Sequence, residues 1–335
     1  ENITARNALL NGFYWATVKG YRGSYLTAYN NGDYGVYAFD AVDGVLDHSY
    51  ASGSPDAGFY IGQCYPCDAI VNNVISENNG LGYSGTNSGG SLYIISSVFK
   101  NNKGGLAPNT LDSELLPPER ETFIIGNLIE NNNNIDAPAT QSTNLSLGNG
   151  VVIAGGNNNV IKNNVIANHN LYGVIITATA DVNYWPAHGN RVESNLIINS
   201  KRADIASSGL SNLGNCFENN YFNTSIPPGL QTLNNCDSSF YPLSADLSGM
   251  WSSLARVIQT SDGNYSQGDW RTFEAPANQP NMPIMDELMS LGYDKTSLPV
   301  TKIWSSVKPA VEVFSQYEDV LEVIELPEEA RNYLN

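Results

Sequence analysis

Glycines followed by apolar residues recur with almost constant spacing in the first half of this chain, at Gly12, Gly35, Gly58, Gly82 and Gly105. The intervals are 23, 23, 24 and 23 residues, and after one longer interval the pattern resumes at Gly150 and Gly173, again 23 apart. Such a period marks a solenoid, in which each repeat is one supersecondary unit stacked on the next. Each glycine opens a short apolar segment, as in Gly35-Val-Tyr, Gly58-Phe-Tyr-Ile, Gly150-Val-Val-Ile and Gly173-Val-Ile-Ile. A second ladder places an Asn or Ser before two apolar residues, beginning at Asn73, Ser97, Asn127, Asn164, Asn195 and Asn220.

Apolar segments this short cannot be α-helices. They are rich in β-branched residues, and Asn and Gly interrupt them at fixed positions. The spacing therefore predicts an all-β fold, a right-handed parallel β-helix of about eight coils. One coil cannot bury its own inward residues; stacking makes a continuous core and leaves backbone pairing to the coils above and below. Asn suits the turns because it tolerates left-handed backbone geometry and can hydrogen-bond along the stack. The Asn-rich stretches 131–134 and 157–159 are thus read as turns.

The solenoid is expected over residues 1–226. An acidic, proline-punctuated tail, 227–335, leaves it at Pro227-Pro228 and packs on the rod or on a partner. The tail reads as mostly extended, with short helices at about 245–259 and 285–291 and an extended linker at 274–283. At the other end the register is already established by Gly12, so the first coil is expected to be capped by another chain or a further segment.

A formal charge of −17 argues against nucleic acid, which is bound through clustered Lys and Arg. No apolar run approaches the ~18 residues that span a bilayer. Cys64 and Cys67 form a C-x-x-C, and Cys216 and Cys236 lie 20 residues apart, close to one coil. Residues one coil apart can sit within disulfide reach, so two disulfides in an oxidising compartment are expected. Haem attachment would need a His after Cys67, where Asp68 stands, and a redox C-x-x-C would need a helix N-terminus. The expected location is extracellular or at the cell surface.

The segments YNNGDYGVYAFDAVDG (29–44), SYASGSPDAGFYIGQCYPCDA (49–69) and GYSGTNSGG (82–90) carry a family resemblance. Over about residues 10–226 the chain resembles right-handed parallel β-helix repeat proteins of the pectate-lyase-like superfamily, in the branch with NosD-type, carbohydrate-associated repeats. That resemblance implies polysaccharide as a ligand class. It also implies a possible lyase or C5-epimerase site, in which carboxylates, often with Ca²⁺, neutralise a uronate while a basic residue or Tyr removes the C5 proton. The catalytic candidates it suggests are Asp40, Asp43, Arg22 and His48, with Asp33, Asp47, Asp56 and Lys19 nearby. Alginate-epimerase-like proteins carry Tyr-Gly-Phe-Asp-Pro-His; here Tyr34-Gly35 runs on through Val-Tyr-Ala-Phe to Asp40 without the Pro-His. No Asp series of the polygalacturonase type is present.

Three insertions break the period: 107–121, 135–148 and 178–189. Irregular loops on a regular scaffold are where function is grafted, and these are expected to form one wall of a cleft. Their candidates for contacting a sugar are Tyr184, Trp185 and His188 with Asp112, Glu114 and Arg120. Trp185 is equally suited to packing its own loop down. The expected function is a non-catalytic binding or structural role at the cell surface, as a polysaccharide-binding protein or a subunit of a larger assembly. Polysaccharide or protein would be its partners, and acidic-polysaccharide lyase or C5-epimerase activity is the alternative.

Overall fold

The computed structural model describes residues 1–209, 213–237, 258, 260, 261, 263, 265–282, 327–331 and 333. Three parallel sheets wind the chain into a right-handed β-helix. Sheet A holds eight strands, from Thr4–Arg6 to Leu196–Ile198; sheet B holds nine, from Phe13–Ala16 to Ser225–Ile226; sheet C holds eight, from Lys19–Ser24 to Cys216–Glu218. The chain visits A, B and C in turn and advances one strand per coil.

Strand alternation sends one row of each sheet inward, and stacking turns those rows into the core. In sheet B, Val36, Phe59, Tyr83, Leu106, Val151 and Val174 stand in register; in sheet C the row is Leu46, Val71, Ile94, Ile124, Ile161 and Val192. All are buried. The glycine ladder has a steric cause at the corner between sheets A and B. A Cβ on Gly35 would lie 2.7 Å from the carbonyl oxygen of Gly58, and one on Gly82 would lie 2.9 Å from that of Gly105. Only glycine lets the corners stack at the ~4.8 Å strand spacing.

The Asn ladder is also present, but its first rung needs correction. Ile75 pairs with Val98, so Val74 stands opposite Ser97, and Asn73 falls one position early. Asn73 instead takes a left-handed turn conformation, φ 56°. From Ser97 onward each backbone N–H donates to the next side-chain oxygen: Ser97 to Asn127, Asn127 to Asn164, Asn164 to Asn195 and Asn195 to Asn220. The last rung donates to Gln231 at 3.0 Å. Gln231 belongs to a one-turn helix, Leu230–Leu233, whose Leu230 is fully buried. That turn closes the C-terminal end of the core, held by the expected Cys216–Cys236 disulfide. Cys64–Cys67 forms the other.

The described part of the tail lies on the rod. Residues 265–282 run from the fifth coil back to the first: Lys103 Nζ donates to the Ser266 carbonyl at 2.6 Å, Asn30 Nδ2 to that of Phe273 at 2.7 Å, and the Met282 N–H to Asn2 Oδ1 at 2.7 Å. A second short helix, Glu328–Arg331, sets Ala330 against the outward apolar row Val98, Leu128 and Val165 of sheet A. Lys100 pairs with Glu329 at 2.9 Å. Of the helices expected at 245–259 and 285–291, all but Ile258 lie outside the described residues.

Candidate functional site

The three insertions converge on the outer face of sheet B, from both of its edges. Insertion 135–148 leaves the A–B corner, whereas 107–121 and 178–189 leave the B–C corner. They therefore make two facing walls, where the spacing alone suggested one. Between them lies a cleft of about 540 Å³. Its floor is formed by two outward rows of sheet B: Ser84, Ala107, Val152 and Ile175 in one, and Thr86, Asn109, Ala154, Thr177 and Ser208 in the other.

Each wall is fixed from below. Thr140 caps the single helical turn Gln141–Asn144 through a capping box, and Thr143 Oγ1 donates to the Pro55 carbonyl at 2.9 Å. On the opposite side Asn87 Nδ2 donates to the carbonyls of Leu111 and Glu114, at 2.7 and 2.8 Å. Asp112 joins the two insertions of that wall. It accepts from the Asn183 N–H at 2.7 Å, from Asn183 Nδ2 at 2.6 Å and from Trp185 Nε1 at 3.2 Å. The Asn183 contacts hold its carboxyl below the ordinary carboxylate range.

One end of the cleft is acidic and aromatic. Glu114 reaches across from its insertion and accepts the Tyr60 hydroxyl on both carboxylate oxygens, at 2.7 and 2.8 Å. Asp56 and Tyr34 face it from the A–B corner. Burial, with Asp33 and Glu114 close by, pushes Asp56 up to about 7; burial also pushes Glu114 up to about 7, against the lowering effect of the Tyr60 bond. These carboxyls exchange between donor and acceptor forms near neutrality. Further along, Asn149 is 6% exposed and its Oδ1 has no partner, as is true of Thr179 Oγ1. Among the described residues no Lys, Arg or His lines the cleft. Arg202 donates to the Tyr172 hydroxyl without itself joining the lining.

Of the sugar-contact candidates, Glu114 and Tyr184 line the cleft. Trp185 packs its own loop, paired across a two-residue hairpin with Thr179 and lying over Gly155. Asp112 is the clasp described above. His188 accepts the Leu213 N–H on Nδ1 at 3.1 Å. Arg120 opens a sheet C strand, with its guanidinium 3.6 Å from the Tyr65 ring centroid.

The four catalytic candidates do not converge. Arg22 and His48 meet on buried Asp47, with His48 Nδ1 2.9 Å and Arg22 Nε 3.9 Å from its carboxylate, and Ser24 donates to the same group. Asp40 sits in the turn after sheet B, and Asp43 is the second residue of the strand Val42–Asp47, beside Asp68. Four steps of extended strand, about 13 Å, carry the chain from Asp43 to Asp47. Glu193, Glu218 and Cys236 are the one trio of potential ligands gathered within 4.8 Å among the described residues, and Cys236 is in a disulfide.

Tyr14, Tyr37 and Tyr60 form a further set beside the cleft that is not among the candidates named above. Their signal was available, since they lie 23 residues apart and so share one coil position. Asp33 and Asp56 are spaced likewise.

No family model and no curated protein matches the chain. Solved structures similar to it include a double-mutant form of the periplasmic alginate epimerase AlgG (TM-score 0.49, 14% identity, covering 64% of this chain and 48% of that one). Another is the A-module of the Azotobacter vinelandii mannuronan C-5 epimerase AlgE4 (TM-score 0.39, 15% identity, 62% and 57% covered). The chain thus spans about half the length of these proteins, and none of the likenesses bears on activity.

Proposed function

We propose that this is a non-catalytic polysaccharide-binding protein of the cell exterior, which takes an uncharged glycan in the cleft over sheet B. The observation that carries this reading is the convergence of all three insertions on one cleft walled from both edges. Its lining combines Tyr faces, amides, hydroxyls and protonatable carboxyls. A sugar offers apolar C–H faces to aromatic rings and hydroxyls to polar groups, and carbohydrate sites need both. Two disulfides fit an oxidising compartment.

Charge argues for a neutral ligand over a uronate. Lyase or epimerase chemistry needs a group that stabilises the negative charge developing at the substrate carboxylate, and the described lining offers carboxyls without a cation. The net charge of −17 adds a repulsive field. The test is calorimetric titration with neutral and uronate polysaccharides, together with assays for unsaturated product and for C5 inversion. Binding of a neutral polymer, weakened about tenfold by Tyr184→Ala, is expected. Conversion of a uronate polymer would overturn the reading.

A further inference from the structure

Tyr14, Tyr37 and Tyr60 stand opposite one another in a single outward row of sheet B. Their ring centroids are 5.2 Å apart between Tyr14 and Tyr37 and 4.5 Å between Tyr37 and Tyr60. Phe39, on the adjoining outward row, stacks on Tyr37 at 5.9 Å and 7°. The same row continues from Tyr60 to Ser84 and Ala107, which are cleft floor. Tyr34 is the joint: it lines the cleft and its ring lies 4.4 Å from Tyr37.

We infer that this aromatic strip extends the cleft, providing further sugar-stacking positions for the same uncharged polysaccharide, which lies along the rod axis. The inference rests on the cleft being a glycan site. Outward positions of one row recur every ~4.8 Å along the axis, so a polymer following the row passes from the cleft floor onto Tyr37 and Tyr14 without changing direction. Core packing does not call for Tyr14. The residues of its strand that pack against the core are Phe13 and Trp15, while Tyr14 is 58% exposed. Tyr14 is exposed and Tyr34, Tyr37 and Phe39 are half-buried, so the strip opens to solvent beyond the buried Tyr60, and aromatic rings suit the C–H faces of pyranoses. Asp33 stands beside Tyr34 and Tyr37, and its carboxylate, where ionised, again disfavours an anionic chain.

The test uses cello-, xylo- and manno-oligosaccharides from disaccharide to decasaccharide, titrated into wild type, Tyr14→Ala and Tyr37→Leu, with thermal unfolding as the control for folding. Wild type is expected to bind long oligomers more tightly than short ones. Each variant should lose about three- to tenfold in affinity for the long oligomers alone. Equal affinity for long and short oligomers, or Tyr14→Ala indistinguishable from wild type, would overturn the strip while leaving the cleft reading intact. Failure of wild type to bind any of these oligomers would overturn both.

Discussion

Tyr60 lays its ring across Gly62 and donates its hydroxyl to both carboxylate oxygens of Glu114, so a residue of the third coil seats an insertion of the fifth. A Cβ at position 62 would collide with that hydroxyl. The glycine therefore sets where Glu114 is seated at the acidic end of the cleft.

Gly62→Ala is expected to displace the Tyr60 ring and loosen the 107–121 insertion, at a cost of about 1–3 kcal/mol. Tyr60→Phe should cost about 1–3 kcal/mol by removing a hydrogen bond to a carboxyl group. Denaturant unfolding measures both, and limited proteolysis should find faster cleavage within 107–121. Unchanged cleavage would separate the insertion from Tyr60.

Glu119 is fully buried and accepts from Thr122 Oγ1 and Asn159 Nδ2, both at 2.8 Å. Burial raises its pKa from 4.5 to about 8. The folded state thus keeps a proton that the unfolded chain releases between those values, so stability falls as pH rises through this window. Glu119→Gln can keep both contacts, with Thr122 Oγ1 turning acceptor. At pH 7 it should gain about 3 kcal/mol, and it should flatten the pH dependence from 4.5 to 8. Equal pH profiles for variant and wild type would refute the assignment.

How much of this could be read from the chain follows its steric causes. The glycine register was readable because a Cβ would strike the next coil at every turn, as at Gly35. Asn73 misled because turn and ladder positions both favour Asn, and only pairing of Ile75 with Val98 separates them. Arg22, His48, Asp40 and Asp43 are close in sequence, yet a strand carries its two ends to opposite edges of a sheet. The cleft walls were legible as broken periods. Their convergence from two edges was not, because the corner each insertion leaves depends on the third sheet, whose strands have no marker as regular as glycine.

His169 occupies the rod where the neighbouring coils place Asn132 and Asn102, whose side chains join at 3.0 Å. Its Nε2 lies 3.2 Å from the Ile129 carbonyl, and burial lowers its pKa from 6.5 to about 4. The unfolded chain therefore binds a proton first as pH falls from 6.5, and stability is lost down to about 4. His169→Asn should remove that acid-side loss, seen as a melting temperature less dependent on pH between those values. An unchanged slope would place the acid sensitivity elsewhere.

The Cys216–Cys236 bridge closes a loop of 20 residues beside the Gln231 cap. Replacing both cysteines with Ser should cost about 3 kcal/mol, and hydrogen exchange should rise first at Asn195 and Asn220. Thiol titration of the unfolded, unreduced protein should find no reactive thiol. Four would remove both bridges and the compartment they imply.

The cleft over sheet B is proposed to hold an uncharged polysaccharide. Its most direct test is calorimetric titration of wild type and Tyr184→Ala with neutral and uronate oligosaccharides side by side. A neutral oligosaccharide is expected to bind, about tenfold more weakly after the substitution, with no heat from uronates at neutral pH. Uronate binding that is unaffected by Tyr184→Ala, with no binding of neutral sugars, would contradict it.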